Sequence, residues 1–275
     1  MKKLARAAAL AAILSLCGCA ALPAGKHDAR DPFERVNRGV YRFNSAADRG
    51  VLRPVARAWK AVVPSPLRRG LSNFVGNLGY PVVIVNDFLQ GKLRDGGNDV
   101  TRLLMNTIFG LGFFDPASHA GLGKHDEDFG QTLGKWGVPA GPYLMLPLLG
   151  PSTMRDAPAR VPDEYSDARH YLNDPYLRWG LWTTDKIEAR AGLLDTDKVI
   201  DNAYDPYAFV RNAWLQRREY QVRDGNVDES DIGAGDDLPA DVPADAPAET
   251  PADTPGNAPA GPSAATPPPA DPQHH

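Results

Sequence analysis

Apolar residues recur at helical spacing over most of the first 223 positions. Phe33, Val36, Val40 and Phe43 fall on one face, and Leu177, Leu181, Thr184, Ile187, Ala191 and Leu194 on another. Val210, Ala213 and Trp214 make a third stripe, with Arg211, Arg217 and Arg218 off it. Four Asp-Pro dipeptides punctuate this pattern, at Asp31, Asp115, Asp174 and Asp205. An N-cap aspartate accepts a backbone N–H, and proline at the first helical position gives up a donor that would have no partner anyway. Each dipeptide therefore predicts a helix start, and Ser65-Pro66 predicts another. No run alternates convincingly. The best strand candidate, "PVVIV" at 81–85, reads better as buried helix leading into Asn86. The predicted class is all-α.

Three stretches carry no charge: Gly70 to Asn86, Leu103 to Phe114, and Trp136 to Met154. None reads as a membrane-spanning helix, which needs about 20 consecutive apolar residues. The first is interrupted by Gly70, Gly76, Gly79 and Pro81, and the second is too short. The third, "WGVPAGPYLMLPLLGPSTM", holds four prolines and three glycines. Backbone that irregular is tolerated at membrane depth only where protein or a water-filled cavity shields it. Two readings stay open: an ordinary buried core, or elements lying in a bilayer without crossing it. Trp136, Tyr143, Trp179 and Trp182 suit an interfacial depth.

The ends of the chain change the picture. Lys2, Lys3 and Arg6 precede an apolar run from Ala7 to Leu16, the layout of an export signal. The run ends in "LCGC", which looks like a bacterial lipobox, so Cys19 is expected to be lipidated and to begin the mature chain. Cys17 then leaves with the signal, and no disulfide is possible. Ala20 after the anchor favours sorting to the outer membrane, by analogy with lipoproteins generally. At the other end, 224–275 holds eleven prolines, eleven acidic residues, no Lys or Arg and no aromatic residue. Such a segment buries too little apolar surface to offset chain entropy and is expected to be disordered. The total charge of −4 hides a body, residues 19–223, of about +4. The predicted organisation is signal peptide 1–18, lipidated linker 19–30, helical domain 31–223 and acidic tail 224–275.

Catalytic signatures are scarce in the chain. There is no Gly-x-Ser-x-Gly elbow and no His-Glu-x-x-His. "GQTLGKW" at 130–136 is one residue short of a phosphate loop, and Trp136 stands where a hydroxyl would meet magnesium. His125 lies beside Asp126, Glu127 and Asp128, but adjacent residues do not face one point, so a solvated loop is expected. Ser152-Thr153 with Arg155-Asp156 reads as a helix cap with a local ion pair. No cofactor, metal or nucleic acid is expected, and no enzymatic activity.

A series of ordered motifs carries a family resemblance. "DPFERVNRGVYRFN" (31–44), "RPVARAW" (53–59), "GLSNFVGNLGYP" (70–81), "VNDFLQGK" (85–92) and "NTIFGLGFFD" (106–115) are followed by "FGQTLGKWGVPAGPYLMLPLLGPSTMRD" (129–156) and "DPYAFVRNAWLQRREY" (205–220). Together they resemble the MlaA/VacJ family of outer-membrane lipoproteins. The resemblance implies a single helical, doughnut-like domain lying in the membrane, with an amphipathic central channel. It implies removal of mislocalised phospholipid from the outer leaflet and transfer to the periplasmic carrier MlaC, with a porin trimer as a further partner. The rival class is a structural or assembly lipoprotein associated with porins. The family's Asn-Arg and Phe-Asn pairs correspond to Asn37, Arg38, Phe43 and Asn44, which the resemblance makes channel or gating candidates. Gly134, Gly141 and Arg155, within the longest motif, join them. Gly130, Gly134, Gly137 and Gly141 are expected at backbone turns, and Arg155 with Asp156 as an ion pair. Arg35, Arg38 and Arg42 read equally as an interfacial basic face or a solvated one.

Overall fold

The computed structural model describes residues 28–226. Cys19, the signal peptide and nearly all of the acidic tail lie outside the described residues. The described chain is mostly helical. Its first long element is α1 (Glu34–Ala47), which runs through a π turn (Asp48–Leu52) into α2 (Arg53–Val62). Pro54 has no N–H to give, and the ladder widens just before it, so that the Arg53 N–H reaches back to the Asp48 carbonyl. Helix α3 (Ser65–Leu89) opens at Ser65 as predicted and contains "PVVIV", with Pro81 inside it. It packs antiparallel on α4 (Leu93–Ile108) through a tight turn.

Shorter elements follow. They are α5 (Pro116–His119), α6 (Phe129–Lys135), strands β1 (Tyr143–Leu146) and β2 (Gly150–Thr153), and α7 (Asp156–Ser166). A 3-10 turn leads to α8 (Pro175–Gly192), a second one to α9 (Asp197–Asp201), and α10 (Pro206–Val222) closes the fold. Asp115, Asp174 and Asp205 cap α5, α8 and α10 as their dipeptides predict, accepting N–H bonds at 3.1, 2.8 and 3.1 Å. Asp31 does not. Helix α1 begins three residues later, and the Asp31 carboxylate is buried among side chains instead.

The hairpin is the element that the hydrophobic pattern misses. Its strands are four residues each, Met145 faces Pro151 across the ladder, and the connecting turn puts Leu148 at φ 61°. Prolines ordinarily argue against a strand. Here β1 is held from its outer edge by side chains of α1, so a four-residue pairing suffices.

Burial is inverted relative to a water-soluble domain. Among the described residues, 17 buried polar or charged side chains stand against nine buried apolar ones. The apolar ones include Ala56, Val75, Tyr143, Met145 and Tyr207. Large apolar groups lie outside instead: Phe109 is 75% exposed, Leu111 72% and Phe114 68%. The plain-core reading of Leu103 to Phe114 is thereby corrected, because the end of α4 and the turn after it point their apolar side chains outward. No described helix is long and apolar enough to cross a membrane.

Candidate functional site

Helix α1 docks on the hairpin through two asparagines placed two turns apart. Asn37 Nδ2 donates to the Tyr143 carbonyl at 3.0 Å, and its Oδ1 accepts the Met145 N–H at 2.9 Å. Asn44 repeats the arrangement, with Nδ2 to the Leu146 carbonyl at 2.9 Å and Oδ1 from the Leu148 N–H at 2.8 Å. Each amide presents to β1 the donor and acceptor that a neighbouring strand would offer, so the open edge is satisfied without a third strand. Phe43, the residue before Asn44, is 54% exposed on the other side of the helix. The Phe-Asn pair is therefore split between an outer apolar surface and an inner polar contact.

Beneath this contact lies Asp31. Its carboxylate accepts from Asn37 Nδ2 at 2.8 Å, from Arg211 Nη1 at 3.1 Å, and from the Tyr207 hydroxyl. Arg38 forms a fork on Asp205, at 2.9 Å from Nη1 and 2.5 Å from Nη2, and its guanidinium lies 4.5 Å from the Tyr207 ring centre. The same fork holds the Asp205 carboxyl below its usual range, since Arg38 bonds the charged form. Arg38 is thus committed to α10 and is not a bare interfacial charge. Tyr41 and Tyr143 meet Tyr207 edge-on at 5.7 and 6.3 Å, which completes the small aromatic core.

A cavity of about 250 Å³ opens beside α1. Tyr41, Asn44 and Met145 line it together with three arginines, Arg49, Arg53 and Arg190, and three aspartates, Asp48, Asp197 and Asp201. Arg190 bonds Asp48 at 2.6 Å and Asp197 at 2.7 Å, while Arg53 bonds Asp201 at 2.7 Å. Burial alone would raise the Asp48 carboxyl, but Arg190 and Arg53 outweigh it and hold that group low. Arg190 Nη1 is buried and has no partner. A volume below the about 300–1,000 Å³ of whole-molecule sites fits a headgroup-sized fragment rather than an entire lipid.

The remaining candidates gather elsewhere. Arg155 Nε bonds Asp156 at 2.8 Å, the local pair expected from sequence. Arg218 bonds Asp156 at 3.0 Å and forks onto Asp128 at 2.6 and 2.7 Å. Gly134 sits inside α6, not at a turn, and a Cβ there would lie 2.6 Å from Arg155 Nη1. Gly130, one turn earlier, would press on Arg218 and Asp156, so both glycines serve close approach to this ion network. Gly141, at φ 67°, is at the turn before β1, as expected. Neither Gly134 nor Arg155 lines the cavity; of the predicted candidates only Asn44 does.

The sequence pattern put Asp31 in a cap and Arg211 off an apolar stripe, and it gave Tyr207 and Arg190 no part in the site. It also expected His125 to Asp128 to form a solvated loop. The segment is a loop whose side chains face different points, as expected, with Asp126 exposed, but three of them are held by neighbours: His125 by Asp99 at 2.9 Å, Glu127 by Lys92 at 2.7 Å, Asp128 by Arg218. Asp224, assigned to the tail by composition, is held by Lys92 and Lys135.

Comparison with known proteins adds an independent line. The family model described as MlaA lipoprotein matches residues 29–221. The intermembrane phospholipid transport system lipoprotein MlaA of Escherichia coli K12 is 42% identical over 217 residues, which cover 77% of this chain and 86% of that one. Its namesake from Haemophilus influenzae is 35% identical over 243 residues, 84% and 95% of the two chains. A solved structure, reported as the structural basis for maintenance of bacterial outer membrane lipid asymmetry, is 40% identical. It aligns with a TM-score of 0.64 over 70% of this chain and 98% of its own.

Proposed function

The chain belongs to the MlaA lipoprotein family, and from that premise we propose that it removes misplaced phospholipid from the outer leaflet of the outer membrane. It is a lipoprotein of intermembrane phospholipid transport, and its work supports lipid asymmetry. The observation that carries the reading is the inverted burial. Apolar side chains at the end of α4 and in the following turn meet acyl chains, while charge and amides turn inward. With no described helix able to cross the bilayer, the body lies in the membrane plane, anchored by lipid on Cys19, with an amphipathic path through it. The cavity beside α1 takes the headgroup. There Arg49, Arg53 and Arg190, set against the carboxylates of Asp48, Asp197 and Asp201, supply the guanidinium donors for a phosphate. A porin trimer holds the apolar rim in place, and the periplasmic carrier MlaC accepts the lipid on the far side.

The test is surface phospholipid in a deletion strain, read by sensitivity to added phospholipase, with complementation by wild type, Cys19→Ala or Arg190→Gln. Surface phospholipid is expected to rise on deletion and to fall only with the wild type. Unchanged surface phospholipid with reduced porin would replace this reading by an assembly role.

A further inference from the structure

Asp87, near the end of α3, and Asp99, on α4, are both fully buried and face each other. Asp99 is well supplied with donors. The Tyr80 hydroxyl donates to its Oδ1 at 2.8 Å, and His125 Nδ1 lies 2.9 Å from its Oδ2. Asp87 has nothing of the kind. Both of its carboxylate oxygens are buried without a hydrogen-bond partner. The nearest cation, Lys92, is already taken by Glu127 and Asp224. Buried carboxylates are ordinarily paired, hydrogen-bonded or bound to a metal. One atom each from Asp87, Asp99 and His125 lies within 4.8 Å of the other two.

We propose that Asp87, Asp99 and His125 bind a divalent transition-metal cation, zinc by preference, which ties the α3–α4 hairpin to the loop entering α6. The donor set favours zinc over magnesium or calcium. An imidazole is a poor ligand for those hard ions, and both want about six or more oxygens, more than this closed site offers. Zinc needs three protein ligands and one more, and His125, with its side chain 36% exposed, marks the side from which a water reaches it. The Tyr80 hydroxyl on Asp99 is the outer-shell bond that orients a metal-bound carboxylate. Binding through Nδ1 requires the histidine proton on Nε2. The alternative is a proton shared between the two aspartates. That proton satisfies one oxygen of Asp87 and leaves the other without a donor.

The full chain, in detergent and stripped with EDTA, is titrated with zinc chloride by calorimetry and by thermal unfolding. A background with His274→Ala and His275→Ala removes the terminal histidine pair as a competing ligand. One zinc per chain is expected. At a free concentration one hundredfold above Kd the folded state is favoured about one-hundredfold, raising Tm by about 5–10 °C. Asp87→Asn and His125→Gln should each abolish the shift while remaining folded. An unchanged zinc shift in both variants overturns the assignment, because the ion then binds elsewhere. A wild type indifferent to zinc overturns it in favour of the shared proton, and a shift with calcium or magnesium but not zinc overturns the choice of metal.

Discussion

Arg218 and its neighbours set two carboxylates, the buried Asp156 and the part-exposed Asp128, against two guanidinium groups, whereas Asp87 and Asp99 face each other with only a part-exposed imidazole beside them. The residue types are similar, although Asp87 and Asp99 are the more deeply buried pair. What differs is the balance of charge and donors. Around Arg218 each oxygen of Asp128 and Asp156 receives an N–H, and the network joins α6, α7 and α10. Around Asp87 two oxygens receive none. A balanced cluster holds the fold together, while a carboxylate buried with neither oxygen bonded points to something the chain binds.

The largest break in that comparison is removal of Arg218. Arg218→Met leaves the buried Asp156 and the part-exposed Asp128 with Arg155 as the only remaining guanidinium bonded to either. Stripping one partner from a buried ion pair costs about 3–5 kcal/mol. Chemical denaturation in detergent should therefore find the variant largely unfolded or much less stable, and stability within about 1 kcal/mol of wild type would show that the network contributes little. Asn37→Ala comes next. It strands the Met145 N–H and the Tyr143 carbonyl, each costing about 1–3 kcal/mol when buried without a partner. Asn37→Asp should be worse, because a carboxylate cannot donate to the carbonyl and would sit beside Asp31. If Asp is the milder change in denaturation midpoints, the amide is not acting as a surrogate strand.

Much of the helical framework is legible in the sequence, because capping is local chemistry. Asp115, Asp174 and Asp205 each act within three residues of themselves, and the dipeptide announces them. Asp31 looks the same on paper but is claimed by Tyr207 and Arg211, some 176 and 180 positions away, which no local pattern encodes. The hairpin was hidden for the same reason, since its outer edge is satisfied by Asn37 and Asn44 from over 100 residues upstream. Family motifs pointed to those asparagines as channel or gating candidates, not as partners of a strand edge. The inverted interior was half visible: the uncharged stretches announced excess apolar surface, but only packing decides whether such surface turns in or out. Asp87 and His125 lie 38 positions apart, so their convergence had no signature at all.

Asp163 sharpens the comparison by titration. It accepts from Asn86 Nδ2 at 3.1 Å and from the Phe129 N–H at 2.9 Å, both at Oδ1, but has no guanidinium partner. Burial, with the Asp128 charge nearby, pushes its carboxyl up to about 6 from 3.8. Asp128 and Asp156 shift the other way, because Arg218 outweighs their burial. Charged Asp163 therefore destabilises the fold above about pH 6, and the penalty is relieved as pH falls to about 4. The depressed pair contributes stability that is present at neutral pH and is lost only below the usual carboxylate range. Asp163→Asn keeps Oδ1 as the acceptor and removes the charge. A tenfold change in proton affinity is worth about 1.4 kcal/mol, and solvent reaching this half-buried group screens part of that. The wild type should therefore lose about 1–2 kcal/mol relative to the variant between pH 4 and pH 7. Parallel pH curves for the two proteins would show that Asp163 carries no such penalty.

The smallest effect is the most diagnostic. In zinc-free buffer, Asp87→Asn breaks no hydrogen bond, because its carboxylate makes none, and it relieves repulsion from Asp99. Burial first, and then Asp99, raise the Asp87 carboxyl, so the wild type itself carries a strained or protonated group there. Replacing such a group by a neutral isostere is expected to be neutral or to stabilise by up to about 1 kcal/mol, the opposite sign to Arg218→Met. A loss of more than about 1 kcal/mol without metal would mean that Asp87 is already paired in the zinc-free fold. The two clusters would then differ only in degree, and charge balance would no longer separate the part of the interior that holds the fold from the part that binds.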